Sequence, residues 1–106
     1  MILYNVTVNI EKDVELEWLH WMHQVHIPKV LATGLFKENK MYRLLNETEN
    51  DDSTYSIQYF AKSIDDIQLY LDQYAPALVN EHLERYKYKH VAFRTLLEEV
   101  KNPNDN

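Results

Sequence analysis

Five histidines, one strand arginine and a wealth of tyrosine carry the chemistry open to this 106-residue chain. His20, His23 and His26 recur every three residues, and a pair at that spacing on a helix can hold one metal ion. His20 and His26, however, stand roughly 120° and about 9 Å apart on an intact helix, so the three cannot share an ion. An exposed polar face accounts for His20 and His23. His26 differs because it precedes Ile27-Pro28, where a helix break can aim a side chain into a cleft; capping or packing is its plainer role. His82 lies four residues after Leu78 on an apolar stripe, as either a core-edge histidine bonded to backbone or a site residue. Imidazole titrates near neutral pH, so His26 and His82 are the candidate acid and base of a proton transfer, provided the fold joins them. His90 opens the last predicted strand, belongs to no constellation and reads as a surface residue.

Arg94 alternates with Phe93 and Thr95 in an apolar strand, so burial is expected, and a buried guanidinium requires a carboxylate partner. That partner is a second subunit's acid in one reading and an anionic ligand in the other. Among eight tyrosines and two tryptophans, Trp18 and Trp21 share an apolar helical face and read as core. Tyr42, Tyr55 and Tyr59 fall on strands and can stack on a flat ligand, whereas Tyr70, Tyr74, Tyr86 and Tyr88 suit helix ends and interfaces.

Several function classes are excluded. No Cys is present, which removes disulfides, thiolate zinc sites and a Cys nucleophile, and fits a reducing compartment. A single Gly leaves nothing from which to build a phosphate loop, and no nucleotide-binding, serine-hydrolase or zinc-protease motif occurs. No cofactor and no metal is therefore expected. Eleven Lys plus Arg against 17 Asp plus Glu leave a charge of −6, without the basic footprint that nucleic acid requires. No run approaches the ~18 apolar residues of a membrane span, and the first ten residues lack the features of a signal peptide, so a cytoplasmic protein is expected.

The elements that must position these residues follow from periodicity. Ile2 to Ile10 alternates apolar and polar as a strand does. From Asp13, residues advancing about 100° each gather Val14, Trp18, Trp21, Met22 and Val25 on one helical face; the helix should break near His26-Ile27-Pro28 and end at Gly34 in a left-handed conformation. Phe36 to Leu45 and Thr54 to Ala61 form a hairpin around an acidic, solvated tip, residues 46 to 53. Ser63 caps a second helix that Pro76 interrupts, with Ala77 to Tyr86 as its second piece. Val91 to Glu98 is the last strand, and 101–106 a frayed tail after a single domain, 1–100.

The order is βαββαβ, an α+β ferredoxin-like arrangement with a four-stranded antiparallel sheet and two helices on one face. With Tyr4, Val6 and Val8 toward the helices, Leu3, Asn5, Thr7, Asn9, Ser56, Gln58 and Phe60 take the far face, with Leu96 expected beside them. Large apolar residues beside amides and hydroxyls suit a face covered by a second subunit or a ligand. Asn5 thereby joins Tyr59 and Arg94 as a candidate substrate contact. A homodimer that closes two such sheets into a barrel accounts for the mixture.

The runs Tyr4-Asn5-Val6-Thr7-Val8-Asn9-Ile10, Trp18-x2-Trp21 through His26-Ile27-Pro28 to Gly34, Tyr55-Ser56-Ile57-Gln58-Tyr59, Ala75-Pro76-Ala77-Leu78 with His82, and Ala92-Phe93-Arg94-Thr95 resemble a family of short uncharacterised bacterial proteins. That family is classed with the dimeric α+β barrels, and the likeness spans roughly residues 1 to 100. The resemblance implies the fold of cofactor-independent monooxygenases, haem-degrading enzymes, cyclases and ligand-binding regulatory domains, but no one activity. Haem degradation in such barrels looks like the work of a first-strand Asn with a Trp and a His from the second half. Asn5 or Asn9 and His82 match two of these, but no Trp follows Trp21.

Beside a His-based metal site, which the histidine spacing argues against, two functions remain open. One is a small-molecule-binding barrel, monooxygenase-, isomerase- or cyclase-like, acting on a small aromatic or anionic compound with His26 and His82 as catalysts. The other is a noncatalytic homodimeric interaction or regulatory module. The first requires a cavity and the second a packed interface.

Overall fold

The computed structural model describes residues 1–45 and 52–104. Strands β1 (Ile2–Ile10), β2 (Glu38–Arg43), β3 (Ser53–Ala61) and β4 (His90–Glu98) form one antiparallel sheet in the order β2-β3-β1-β4. Between β1 and β2 run a 3₁₀ turn (Lys12–Val14), α1 (Glu15–Trp21), a π turn (Met22–His26) and α2 (Ile27–Leu31); between β3 and β4 run α3 (Ile64–Gln73) and α4 (Ala75–Arg85). This is the ferredoxin-like βαββαβ order, with the helices on one face of the sheet. The acidic tip predicted from the sequence falls at 46–51, outside the described residues. Among the described residues no helix is long and apolar enough to cross a membrane.

Strand alternation decides which residues meet the helices. Tyr4, Val8 and Ile10 of β1 and Tyr55, Ile57, Tyr59 and Ala61 of β3 are buried, packed with Trp18, Met22, Val30 and Ile67 from the helices. Val6 pairs with Ile57 and Arg94, and Val8 with Tyr55 and Ala92, so Ala92 and Arg94 share the helix-facing side. Lys29 Nζ donates to both oxygens of Glu81 at 3.1 and 3.0 Å, tying α2 to α4.

The far face carries the predicted mixture. Ser56 Oγ donates to Asn5 Oδ1 at 2.6 Å, Asn5 Nδ2 to Thr7 Oγ1 at 3.1 Å, and Asn9 Nδ2 to Thr54 Oγ1 at 3.0 Å. Leu96 does not belong to it. Leu96 pairs with Tyr4 and so lies on the helix side, while Leu97, paired with Leu3, takes the far face beside Phe93. Adjacent leucines satisfy the alternation in either phase, and only the register separates them.

The first helical arm also departs from expectation, because helical backbone continues through Ile27 at φ −60° and ψ −44°. Two adjustments accommodate Pro28: the wide π turn just before it, and its place in the first turn of α2, where a missing N–H breaks no helical bond. Gly34 closes the arm at φ +79°, the left-handed position predicted for it. Ser63 caps α3, its Oγ accepting from Asp66 N at 3.3 Å.

Candidate functional site

Side chains from five elements and the π turn converge between sheet and helices. Tyr4, Val6 and Val8 of β1, Ile57 and Tyr59 of β3, and Ala92 and Arg94 of β4 form the floor of a cavity. Met22 and His26 of the π turn, Tyr70 of α3, and Val79 and His82 of α4 form its roof. The enclosed space is about 20 Å³, room for about one water molecule. A groove of about 580 Å³ between α4 and β4 shares Val79, His82, Ala92 and Arg94 with it and continues outward past Leu83, Lys87, Tyr88 and Val91.

Four of the five candidate residues, His26, Tyr59, His82 and Arg94, line this one cavity. Asn5 is on the opposite face of the sheet, held by Ser56 and Thr7. The centroids of the His26 and His82 rings lie 5.8 Å apart, a proximity that no local periodicity encodes.

Buried polar atoms nearly always find a partner. Two among the described residues do not, His26 Nδ1 and Tyr59 Oη, and both residues line the cavity. Burial lowers the His26 pKa to about 4, with the Arg94 and Lys29 charges adding to the effect and Glu81 opposing it. His26 is therefore neutral at pH 7, with an unpaired nitrogen. Burial, with Tyr70 and Tyr4 nearby, raises the Tyr59 pKa far above the usual phenol range, so its hydroxyl stays protonated.

His82 is positioned otherwise than the sequence suggests. Its partner is not backbone but Trp18, whose Nε1–H donates to His82 Nε2 at 2.9 Å between two buried side chains. Indole donates only, so Nε2 supplies the lone pair and the His82 proton resides on Nδ1. Burial, with His90, His26 and Arg94 adding to its effect, lowers the His82 pKa to about 3. With its basic lone pair engaged by the indole, His82 is a poor proton acceptor, whereas His26 Nδ1 has no partner.

His90, expected at the surface, is half-buried with its ring centroid 4.6 Å from that of His82. Its Nδ1 lies 2.8 Å from the Tyr86 carbonyl, which can only accept, so Nδ1 carries a proton there. Sequence reasoning also passed over Tyr4 and Tyr70 as cavity residues. The available signals were Tyr4's alternation with Val6 and Val8 and Tyr70's place one turn after Ile67. Trp18 was legible as core, but its indole N–H also demanded a buried acceptor, and His82 on the facing stripe could supply one.

Arg94 corrects an expectation as well: in the single chain it is exposed, without a carboxylate partner among the ion pairs of the described residues. The physical reason is its place on β4, an edge strand, whereas burial is concentrated on the central β1 and β3. Arg94 Nε donates to Tyr4 Oη at 3.1 Å. Among the described residues the cavity lining thus carries one cation and no carboxylate, beside tyrosines whose pKa values burial raises. Such a lining favours an anion or a group that gains negative charge. Among the described residues no three His, Asp or Glu side chains converge to hold a metal ion.

Solved structures share this fold across nearly the whole chain. An ethyl tert-butyl ether d (EthD) family protein from Bacillus halodurans is 11% identical with a TM-score of 0.67, covering 94% of this chain and 100% of its own. SnoaB, a cofactor-independent oxygenase from Streptomyces nogalater, is 13% identical with a TM-score of 0.65, covering 98% of each chain. A dimeric ferredoxin-like protein from an uncultured marine organism is 14% identical with a TM-score of 0.57, covering 96% of this chain and 100% of its own. At these identities the likeness is one of fold alone. No curated protein matches the chain. Residues 1–100 match the family described as domain of unknown function DUF4286, and the chain belongs to that family.

Proposed function

We propose that this protein is a homodimeric small-molecule-binding α+β barrel whose cavity takes a planar, weakly acidic compound and removes a proton from it. The observation that carries this reading is the pair of buried, unpartnered atoms, His26 Nδ1 and Tyr59 Oη, in a cavity where Arg94 is the only charged lining residue among the described residues. The enclosed space is smaller than an aromatic ring, so the body of the ligand occupies the outer groove and only one polar group reaches the inner end. Arg94 holds the acidic end. Neutral His26 takes a proton from a carbon beside a carbonyl, and Tyr59 donates a hydrogen bond to the oxygen that gains charge. Forming such an enolate is the first step common to isomerisation, cyclisation and cofactor-independent oxygenation. The oxygenase among the structural neighbours supports a scaffold that needs no resident cofactor.

The homodimer rests on the far face, where Phe93 and Leu97 are 60% and 46% exposed beside Leu3 and Phe60, and on the dimeric neighbour. The same face supports a second reading, the noncatalytic interaction module, which the small enclosed volume favours. Titration with 1-hydroxy-2-naphthoate, salicylate and anthranilate, followed by the histidine ring signals in NMR, separates the two. Saturable binding that shifts His26, and that Arg94→Met weakens at least tenfold while the dimer persists, is expected. No binding of any of the three leaves the interaction module, and a dimer broken by Arg94→Met makes Arg94 a subunit bridge.

A further inference from the structure

The turn between α4 and β4 holds Tyr88 in a conformation that tyrosine rarely adopts. Its φ is +66°, and among the described residues it is the one non-glycine with positive φ. Gly or Asn fills such a position without strain. The turn's backbone bonds, Lys89 N–H to the Tyr86 carbonyl at 2.9 Å and Glu11 N–H to the Lys89 carbonyl at 3.0 Å, hold this conformation, but the Tyr88 side chain takes no part: it is 86% exposed and enters none of the aromatic pairs of the described residues. The Lys87 ammonium lies over its ring, 5.6 Å from the centroid. Yet the residue stands on the wall of the outer groove, with Leu83 and Val91, and that groove leads past Arg94 into the cavity.

The turn accounts for the backbone but not for the residue, since glycine would fill the position without strain; an exposed aromatic ring kept there, at the mouth of a site, is a feature that ligand contact explains and packing does not. We propose that Tyr88 is the outer recognition residue of the site and selects extended aromatic acids over aliphatic ones. The ring provides a stacking surface for the planar body of the ligand, while Arg94 holds its acidic group further in. Lys87, beside the ring, offsets the Glu84 carboxylate that lines the same groove, leaving Arg94 to hold the anionic group. This rests on the ligand-binding reading above and adds the substrate class.

The test compares wild type, Tyr88→Gly and Tyr88→Phe in binding 1-hydroxy-2-naphthoate and hexanoate, with Tm and sedimentation measured on each protein. Tyr88→Gly is expected to weaken the naphthoate about tenfold, the upper range for one aromatic contact, and hexanoate less than twofold. Its Tm should hold or rise, because glycine relieves the strain. Tyr88→Phe should bind the naphthoate as wild type does. Unchanged naphthoate affinity in Tyr88→Gly, or an equal loss for both acids, overturns the inference while leaving the ligand site intact. A fall in Tm of more than a few degrees or loss of the dimer makes Tyr88 a structural residue and likewise overturns it. A wild type that binds neither acid overturns the ligand reading, and this inference with it.

Discussion

Trp18 and His82, separated by 64 positions in the chain, share a buried hydrogen bond in which the indole N–H fixes which imidazole nitrogen carries the proton. Removing the indole should free that nitrogen. Trp18→Phe is expected to lower stability by about 2–4 kcal/mol, combining lost packing with an unpaired buried imidazole nitrogen. Nitrogen-15 NMR of the imidazoles should find His82 purely in the Nδ1–H form in wild type and a tautomer mixture in the variant. A wild-type mixture would remove the argument that leaves His26 as the base.

Acid should destabilise the protein through two imidazoles. Unfolded, His26 and His82 titrate near 6.5; folded, they titrate at about 4 and about 3, chiefly because burial disfavours the charged form. Between these values the unfolded chain binds protons that the folded chain refuses. Their contribution is therefore flat above pH 7 and declines as pH falls from about 6.5 toward 4. At full effect the slope is about 2.7 kcal/mol per pH unit for two protons. Urea denaturation at pH 7.5, 6 and 5 measures it, and His26→Phe should remove about half of the slope.

Tyr59 offers a test of opposite sign. Its hydroxyl is buried without a partner, so Tyr59→Phe removes an unsatisfied group and should raise the stability of the free protein by about 1 kcal/mol. The same variant should bind an acidic aromatic probe more weakly. A destabilised Tyr59→Phe would mean that the hydroxyl is satisfied in solution, and the cavity would lose half of its unpaired pair.

The dimer is tested on the far face. Phe93→Asp places a charge on an exposed apolar position opposite Thr7, at a residue that does not itself line the cavity. Sedimentation should find wild type dimeric and the variant monomeric with its fold retained. A variant as dimeric as wild type would place the interface elsewhere.

The site was legible in parts. His82 on an apolar stripe and Tyr59 in phase with Ile57 could each be assigned a face from spacing alone, because a side chain's direction along a strand or helix repeats with a fixed period, whereas Arg94, in phase with Leu96, waited on the register of β4. Their meeting could not be read. His26 and His82 lie 56 positions apart on separate helical arms, and only the packing of both arms on one sheet brings the rings to 5.8 Å. His90 was missed for the same reason, since its partners are His82 and the last turn of α4 rather than its strand neighbours.

By itself, the sequence determined the βαββαβ order, the faces of β1 and β3, the cap at Ser63 and the left-handed Gly34. Each depends on residues within a few positions of one another, and local periodicity or backbone sterics suffices. Tertiary structure alone decided the phase of Leu96 and Leu97, the π turn through which the first helical arm passes Pro28, the exposure of Arg94, and the indole that holds His82. Register, edge position and burial belong to the assembled sheet and helices, and the same local sequence fits more than one outcome until those surfaces meet.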